Sequence, residues 1–440
     1  MLDQPARTAS DPASGPLGEA FRSIPVTGSG LKRFSAFLGP GYLVATGYMD
    51  PGNWATALAA GSKFGAALLF VAVLSSLMAI VLQSLSARLA IATGRDLAAL
   101  CRETLPRPVS FALWLIAEGA IIATDLAEII GTAIGLLLVF GIPLKIGVLV
   151  TVLDVFLILA LQRLGFRKIE AFVLALLIVI ALAFGVELFL AKADWSAVAA
   201  GLRPDPAVLT DPDMLYLALG ILGATVMPHN LFLHSGIILT RAIGPSLPEK
   251  REALRFALAD SAIALTFALA VNAAILILAA AAFHANGKHD VTELQDAYAL
   301  IAPLLGTSLA AVLFGVALLA CGLNSTVTAT LAGQIVMEGF LNLRLAPALR
   351  RLVTRLIAIL PAVFVIYAAG EASMGKLLIA SQVVLSLALP FAMVPLVWLT
   401  AHRAVMGVMT APLRTTLAAG VTAVIITALN VKLIWDAVAG

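Results

Sequence analysis

The chain has 440 residues, of which 61% are hydrophobic and only 12% are charged. Soluble domains carry about 25% charged residues, so this composition, with a mean hydropathy of +1.03, excludes a soluble globular protein. It predicts an all-α polytopic protein whose main surroundings are the lipid bilayer. The net charge of +3 reflects the sidedness of the loops and gives no reason to expect a nucleic-acid partner.

The first 36 residues are rich in Pro, Ser, Gly and Ala and contain no apolar core of the signal-peptide type. They predict a disordered cytoplasmic tail. Eleven apolar runs follow, each able to cross roughly 30 Å of hydrocarbon as a helix. We expect them at 37–60, 65–93, 109–139, 142–162, 168–191, 213–239, 256–283, 305–337, 352–370, 375–400 and 414–436.

These runs divide into two sets of five and a final helix. Residues 37–191 hold the first five, 192–212 form an external loop, 213–400 hold the next five, and 401–440 hold the eleventh helix and the C-terminus. Basic residues flanking transmembrane helices are retained on the cytoplasmic side. With the N-terminus inside, 21 of the 28 basic residues fall on that side and seven on the other. This predicts a multi-pass membrane protein with a cytoplasmic N-terminus and an external C-terminus.

Two apolar runs contain a motif that interrupts a helix. Residues 47–54 read GYMDPGNW and residues 223–230 read GATVMPHN, so both contain X-Pro-X-Asn. Proline removes a backbone donor and clashes with the preceding turn, which favours a helix broken into halves. The two motifs lie five helices apart, an odd step that reverses direction, so we expect inverted repeats. Paired interrupted helices point to a transporter binding site.

The two breaks carry metal-ligand chemistry. If they face each other, the ligands are the Asp50 carboxylate, the Asn53 amide oxygen, the Met227 thioether and backbone carbonyls near Gly47 and Ala224. Oxygen ligands alone suit Mg²⁺ or Ca²⁺, whereas a soft thioether favours later divalent metals such as Mn²⁺ and Fe²⁺. The alternatives are that Met227 is a core filler and that Asp50 only caps a half-helix.

The third run contains three ionisable side chains, Glu118, Asp125 and Glu128, which share one helical face. They either relay protons or serve as structural partners for basic residues such as Arg350 and Arg351, and the pattern leaves both interpretations open. Polar residues in apolar runs more often make helix-to-helix hydrogen bonds than form binding sites. This applies to Asp154, Glu187, Asn272 and Gln382.

Two histidines, His229 and His234, follow the second break. They diverge by about 140° around a helix, so a shared metal ion is not expected. An imidazole suits a proton-linked step, and this favours His229 as a proton group, while the role of His234 stays open.

The chain resembles the Nramp family of proton-coupled divalent metal transporters, in particular its bacterial manganese and iron importer branch. The resemblance rests on residues 49–53 (MDPGN) and 227–230 (MPHN), with agreement at 123–128 (ATDLAE), 231–235 (LFLHS) and 333–340 (GQIVMEGF). It implies a LeuT-type fold of two inverted five-helix repeats plus an eleventh helix, and transport by alternating access. Gly47 departs from the alanine that many bacterial members have, but a carbonyl ligand does not depend on the side chain.

The resemblance also implies residue roles. The metal would be bound by Asp50, Asn53, Met227, the carbonyls of Gly47 and Ala224, and Gln382 in the occluded state. A proton network would comprise Asp50, His229, Glu118, Asp125 and Glu128, with Arg350 and Arg351 near its cytoplasmic end.

These roles imply a transporter and not an enzyme. No resident cofactor is expected, because Mn²⁺ or Fe²⁺ is the substrate and H⁺ the coupling ion, and we expect a functional monomer. One rival is a sodium-coupled amino-acid carrier of the same fold, in which Asp50 would repel the substrate carboxylate. A less favoured rival is an intramembrane metalloenzyme, for which the sequence has no His-Glu-x-x-His motif.

Overall fold

The computed structural model describes residues 17–26, 30–343, 347–370 and 373–439. Within these ranges the chain forms nineteen α-helices and one pair of short strands. The strands β1 and β2 are Ile24–Pro25 and Arg241–Ala242. The helices α1 to α19 are, in order, Leu31–Phe37, Pro40–Gly47, Pro51–Phe64, Leu69–Thr93, Leu97–Thr104, Arg107–Phe140, Leu144–Val150, Asp154–Arg163, Phe166–Ala191, Trp195–Ala200, Pro212–Thr225, Pro228–Ile237, Leu247–Ala282, Leu294–Leu305, Ser308–Leu341, Pro347–Ala369, Met374–Ala401, Arg403–Met406 and Leu413–Ala439.

Every predicted apolar run corresponds to a helix or a pair of helices. Nine spans among the described residues are long and apolar enough to cross a membrane, and one of them, Pro212–Thr240, contains the second predicted break. The first run consists of α2 and α3, and the fourth consists of α7 and α8 joined by a 3-10 turn at Thr151–Leu153. The eleven-segment prediction therefore agrees with the structure over the described residues.

Local sequence explains where the long helices begin and end. The helices α4 and α6 end at Gly94 and Gly141, whose φ angles of 70° and 69° lie in the left-handed region that glycine adopts without strain. The helix α13 begins with a capping box, in which Ser246 and Glu249 each satisfy a backbone donor of the other.

The broken helices lie at the centre of the bundle. The helix α3 packs against α11, α13 and α17, and α12 packs against α4, α15 and α17. Trp54, one turn after the first break, is fully buried between Phe184 and Phe314, with ring centroids at 4.5 and 5.5 Å. These edge-to-face contacts add to the apolar burial and hold the start of α3 against α9 and α15.

The last helix, α19, has two different faces. Ala419, Ala423 and Ile426 are buried against the bundle, where small residues allow close helix approach, while Leu417 and Val424 are exposed. Large exposed apolar residues at helical spacing form a surface suited to lipid. The helix thus packs only one face on protein, against α17, α4 and α11.

Part of the predicted disordered tail is ordered, and this corrects the prediction for those residues. The strand β1 pairs in parallel with β2, the backbone N–H of Arg22 donates to the carbonyl of Leu239 at 2.9 Å, and α1 packs against α13. The apolar contacts of Ile24, which is buried, explain why this stretch is held. Residues 1–16 and 27–29 of the predicted tail lie outside the described residues.

Candidate metal site

The first break separates α2 from α3 at residues 48–50. Pro51 is the first residue of α3, and Asp50 caps that helix with φ −68° and ψ 164°. Its carboxylate accepts hydrogen bonds from the backbone N–H groups of Asn53 at 2.9 Å and Gly52 at 3.3 Å. Asp50 is fully buried, so the carboxylate is held at the positive end of a half-helix.

The second break separates α11 from α12 at Val226 and Met227. Pro228 is the first residue of α12, and Met227 occupies the capping position with φ −74° and ψ 131°. Its thioether makes no capping hydrogen bond and is fully buried. Asp50 and Met227 therefore hold equivalent positions in the two breaks, each directly before a proline.

The two prolines leave a particular carbonyl in each break without its helical donor. In an α-helix the carbonyl of residue i accepts from the N–H of residue i+4, and proline has no N–H. Pro51 therefore frees the carbonyl of Gly47, and Pro228 frees the carbonyl of Ala224. These are the two carbonyls predicted from the sequence to bind the metal.

The helix α17 contacts both breaks. Gln382 Nε2 donates to the Asp50 carboxylate at 3.2 Å, and one turn further along α17 Leu385 packs in an apolar cluster with Met227. Glycines permit the close approach, because a Cβ on Gly52 would lie 1.8 Å from Gln382 Nε2 and one on Gly223 would lie 2.0 Å from the Gln382 carbonyl oxygen. Gln382, which only the family resemblance predicted to be a metal ligand, thus lies beside Asp50.

The breaks also contact each other directly. A Cβ on Gly47 would lie 2.2 Å from Asn230 Nδ2, so Asn230 of α12 packs on the backbone that ends α2. Both polar atoms of the Asn230 side chain and the Oε1 atom of Gln382 are buried without a hydrogen-bond partner among the described residues. Asn230 belongs to the X-Pro-X-Asn motif, but no role was predicted for it from the sequence.

Other carbonyls of the first break are satisfied by protein. The Tyr48 carbonyl accepts from the side-chain amides of Asn53 and Asn272, the latter at 2.7 Å, and the Met49 carbonyl accepts from Cys321 Sγ at 2.6 Å. Asn272 makes a helix-to-helix hydrogen bond, as its position in an apolar run predicted. Cys321 was missed, because an isolated cysteine in an apolar run carries no signal for this contact.

The carboxylates of α6 pair with arginines of α16. Glu118 accepts from Arg350 at 3.0 Å, and Arg351 bridges Asp125 and Glu128, the latter at 3.2 Å. All three carboxylates therefore face one helix, in agreement with the predicted shared face. Their partners in the structure are Arg350 and Arg351, the basic residues that were named as possible structural partners.

A third arginine, Arg355, completes this cluster and was missed. It is fully buried, contacts Asp154 and lies 3.5 Å from Glu128, which also accepts from Thr326 at 3.1 Å. Arg355 follows Arg351 by four residues, the spacing that places two side chains on one helical face, and this was the available signal. Asp154, expected to make a helix-to-helix hydrogen bond, forms an ion pair.

The two histidines of α12 have separate surroundings. His229 Nδ1 lies 3.4 Å from Thr124 Oγ1 on α6. His234 Nδ1 lies 2.8 Å from Gln83 Oε1, and its Nε2 lies 3.2 Å from Ser261 Oγ. Within the described residues, neither histidine hydrogen-bonds to Asp50.

The buried Glu187 has neither oxygen hydrogen-bonded to any described residue. The helix-to-helix hydrogen bond expected for it is therefore not found there.

The site is poor in ionisable ligands. Among the residues that the structure describes, no group of three or more His, Cys, Asp and Glu side chains could hold a metal ion. The break region instead offers one carboxylate, one thioether, amide oxygens and two freed carbonyls. Such a set carries one negative charge, which suits a cation that binds and is released.

Known proteins resemble this chain over nearly its whole length. The divalent metal cation transporter MntH of Agrobacterium fabrum is 63% identical over 93% of this chain and 88% of its own. The protein of the same name from Xanthomonas campestris is 59% identical over 97% of this chain and 96% of its own. These relatives carry transporter names, which agrees with the prediction that the chain is not an enzyme.

Solved structures give the same result for the fold. The Eremococcus coleocola manganese transporter, in complex with an aromatic bis-isothiourea compound, superposes with a TM-score of 0.87 at 42% identity, covering 95% of this chain and 90% of its own. The inward-facing conformation of Mhp1 superposes with a TM-score of 0.60 at 15% identity, over 98% of this chain and 95% of its own. The predicted all-α, LeuT-type fold is confirmed.

The profile of the family described as natural resistance-associated macrophage protein-like matches residues 41–436. That range contains both breaks, the α6 and α16 cluster and α17. With the identities above, it shows that the chain belongs to the Nramp family.

Proposed function

We propose that the chain is a secondary active importer of divalent transition metals, Mn²⁺ and Fe²⁺ among them, coupled to the entry of protons. The observation that carries the proposal is the pairing of the two breaks. One break provides a buried carboxylate, the other a buried thioether, and each provides a carbonyl freed by proline. The names of the relatives support divalent metal as the substrate.

The mixed ligand set explains the choice of metal. Asp50, Asn53, Gln382 and the freed carbonyls of Gly47 and Ala224 are hard oxygen ligands that any divalent cation accepts. Met227 is soft and favours later metals over Mg²⁺ and Ca²⁺. Because one carboxylate leaves the bound divalent ion with net positive charge, the ion is held weakly enough to be released inside.

The proton route would start at Asp50 and pass His229 towards the carboxylates of α6. His229 lies beside α6 through its 3.4 Å contact with Thr124, and Asp125 and Glu128 follow on that helix. Arg351 and Arg355 neutralise these buried carboxylates, and charge neutralisation is the condition for keeping such groups inside a membrane. Arg350 and Arg351 would lie near the cytoplasmic end.

Transport would proceed by alternating access about the fixed site between the breaks. In this proposal the protein acts as a monomer in the bacterial inner membrane, with the N-terminus in the cytoplasm and the C-terminus outside. The repeat boundaries, 37–191 and 213–400, remain predictions.

The test is uptake by purified protein in liposomes. We expect Mn²⁺ to enter together with protons, followed by a pH-sensitive dye inside, and Asp50→Asn to abolish both fluxes. Asparagine caps a helix about as well as aspartate, so the variant keeps the fold while the charge is lost.

The matched control is Asp96→Asn, which changes another buried aspartate that caps a helix, here α5, through a 2.9 Å bond from Ala99 N–H. This variant should transport normally. Normal Mn²⁺ uptake by Asp50→Asn, or sodium-driven amino-acid uptake without metal uptake by the unmodified chain, would overturn the proposal.

A further inference from the structure

A second group of metal-ligating atoms lies far along α3 from Asp50, where the end of this helix meets the segment after α13. Ser62 anchors the contact, because its hydroxyl donates to the Lys288 carbonyl at 2.7 Å and accepts from the Val291 N–H at 3.1 Å. Its own carbonyl oxygen lies 2.9 Å from His284 Nδ1. The end of α3 is therefore tied to residues 284–291.

Two imidazoles converge at this contact. His289 Nδ1 lies 3.2 Å from His284 Nδ1, and the ring centroids are 4.6 Å apart with the planes at 72°. His289 is exposed and His284 is half-buried. His284 Nδ1 thus has two close neighbours, a carbonyl oxygen and an imidazole nitrogen.

Protons alone satisfy this arrangement poorly. A neutral imidazole carries one N–H, on one of its two nitrogens. If the Nδ1–H of His284 donates to the Ser62 carbonyl, its proton is used and this nitrogen has no free lone pair, so no hydrogen bond joins it to His289 Nδ1. If His289 donates to His284 instead, the Ser62 oxygen faces a nitrogen with no proton between them. One cation would engage all three lone pairs at once.

We propose that His284, His289 and the Ser62 carbonyl form a binding site for a divalent late transition metal of the Zn²⁺ type. In a tetrahedral site with Zn–N bonds of about 2.0–2.1 Å, two nitrogens lie about 3.3 Å apart. The observed 3.2 Å matches this edge, and water would fill the remaining position. Imidazole ligands select Zn²⁺ and its neighbours over Mn²⁺, so this site differs in preference from the one between the breaks.

The site is open to ions from the aqueous phase. His284 lines a surface cavity of about 520 Å³ formed by the end of α3, the segment 192–205 and the end of α13. Asp194 and Asp205 lie on its wall together with Lys192 and Arg203. In the orientation proposed above, this cavity is on the external side.

A metal bound here would act on a helix that belongs to the proposed transport site. The helix α3 begins at the cap formed by Asp50 and ends near Ser62, so an ion at His284 and His289 would restrain the helix that carries two proposed transport ligands. External zinc would then slow transport without entering the transport site.

The experiment is calorimetric titration of the full chain in detergent with Zn²⁺ alone, in the Asp50→Asn background that removes the carboxylate of the transport site. We expect one Zn²⁺ per chain, and at least a tenfold loss of affinity when His289→Ala is added. His289 is exposed, so its replacement should leave the fold intact. His402→Ala is the matched control, because His402 lies elsewhere, near the end of α17, where it contacts Trp398. This replacement should leave the affinity for Zn²⁺ unchanged.

A second readout uses Co²⁺ as the probe. Nitrogen ligation should produce visible absorption bands that His289→Ala removes and His402→Ala retains. Equal Zn²⁺ titrations with and without His289 would overturn the proposal and leave a histidine pair joined by a hydrogen bond. Since binding is measured without transport, this result is independent of Mn²⁺ uptake and of the function proposed above.

Discussion

At the scale of single residues, the candidate site depends on what stands at two equivalent positions. Asp50 and Met227 each cap a half-helix directly before a proline, but only the aspartate bonds to the backbone it caps. The methionine makes no such bond and lies in an apolar cluster with Leu385 and Ala120. The aspartate thus has a structural task as well as its proposed ligand role, whereas the capping position makes no structural demand for methionine.

Replacing Met227 by alanine tests the thioether. We expect Met227→Ala to lower discrimination of Mn²⁺ against Ca²⁺ and Mg²⁺ roughly tenfold, equivalent to about 1.4 kcal/mol, because the remaining ligands are hard oxygens. Competition of the three ions in a Mn²⁺ uptake assay measures this ratio. Met393→Ala, at a fully buried methionine of α17, should keep the original ratio, and unchanged selectivity in both variants would remove the sulfur from the site.

At the scale of helices, α17 and α16 join elements that the sequence separates. The helix α17 reaches the first break through Gln382 and the second through Leu385, one turn apart. The helix α16 places three arginines against the carboxylates of α6 and α8. Each of these helices holds polar groups in the membrane interior that would be costly alone.

Gly52 sets how closely α17 approaches the first break. A Cβ there would lie 1.8 Å from Gln382 Nε2, so Gly52→Ala should displace Gln382 from Asp50 and cost about 1–3 kcal/mol in stability. We expect at least a tenfold loss of Mn²⁺ uptake together with a lower unfolding temperature. The control is Gly185→Ala on α9, where a Cβ meets nothing within 4 Å; equal activity of the two variants would contradict this role for Gly52.

Arg355 should be the most sensitive position of the arginine cluster. Its removal leaves Asp154 and Glu128 buried with less compensation, and breaking a buried ion pair costs about 3–5 kcal/mol. Thermal unfolding of Arg355→Ala should show this loss, and Asp154→Asn in the same chain should restore part of it. Arg255→Ala, at an exposed arginine of α13, should unfold like the unmodified protein, and no difference between Arg355→Ala and this control would contradict the proposed pairing.

At the scale of the whole molecule, the sequence predicted what depends on local chemistry. Apolar length located the helices, and Pro51 and Pro228 located the two breaks and the carbonyls that they free, because these effects need no tertiary information. Arg355, Asn230 and Cys321 were missed as participants because their importance comes from neighbours far along the chain. The ordered stretch at residues 17–26 was missed for the same reason, since its partner β2 lies more than 200 residues away.

The orientation of the molecule rests on the distribution of basic residues, and single cysteines test it. The native Cys101 and Cys321 are buried, so they should not react with a membrane-impermeant maleimide. Ala199 and Arg251 are both exposed and lie on opposite sides in the proposed orientation. In intact cells we expect labelling of Ala199→Cys, in the external segment, and labelling of Arg251→Cys only after permeabilisation. The reverse pattern would show that the 21 basic residues assigned to the cytoplasm face outward, although such residues are generally retained inside. The proposed direction of import would then have to be inverted.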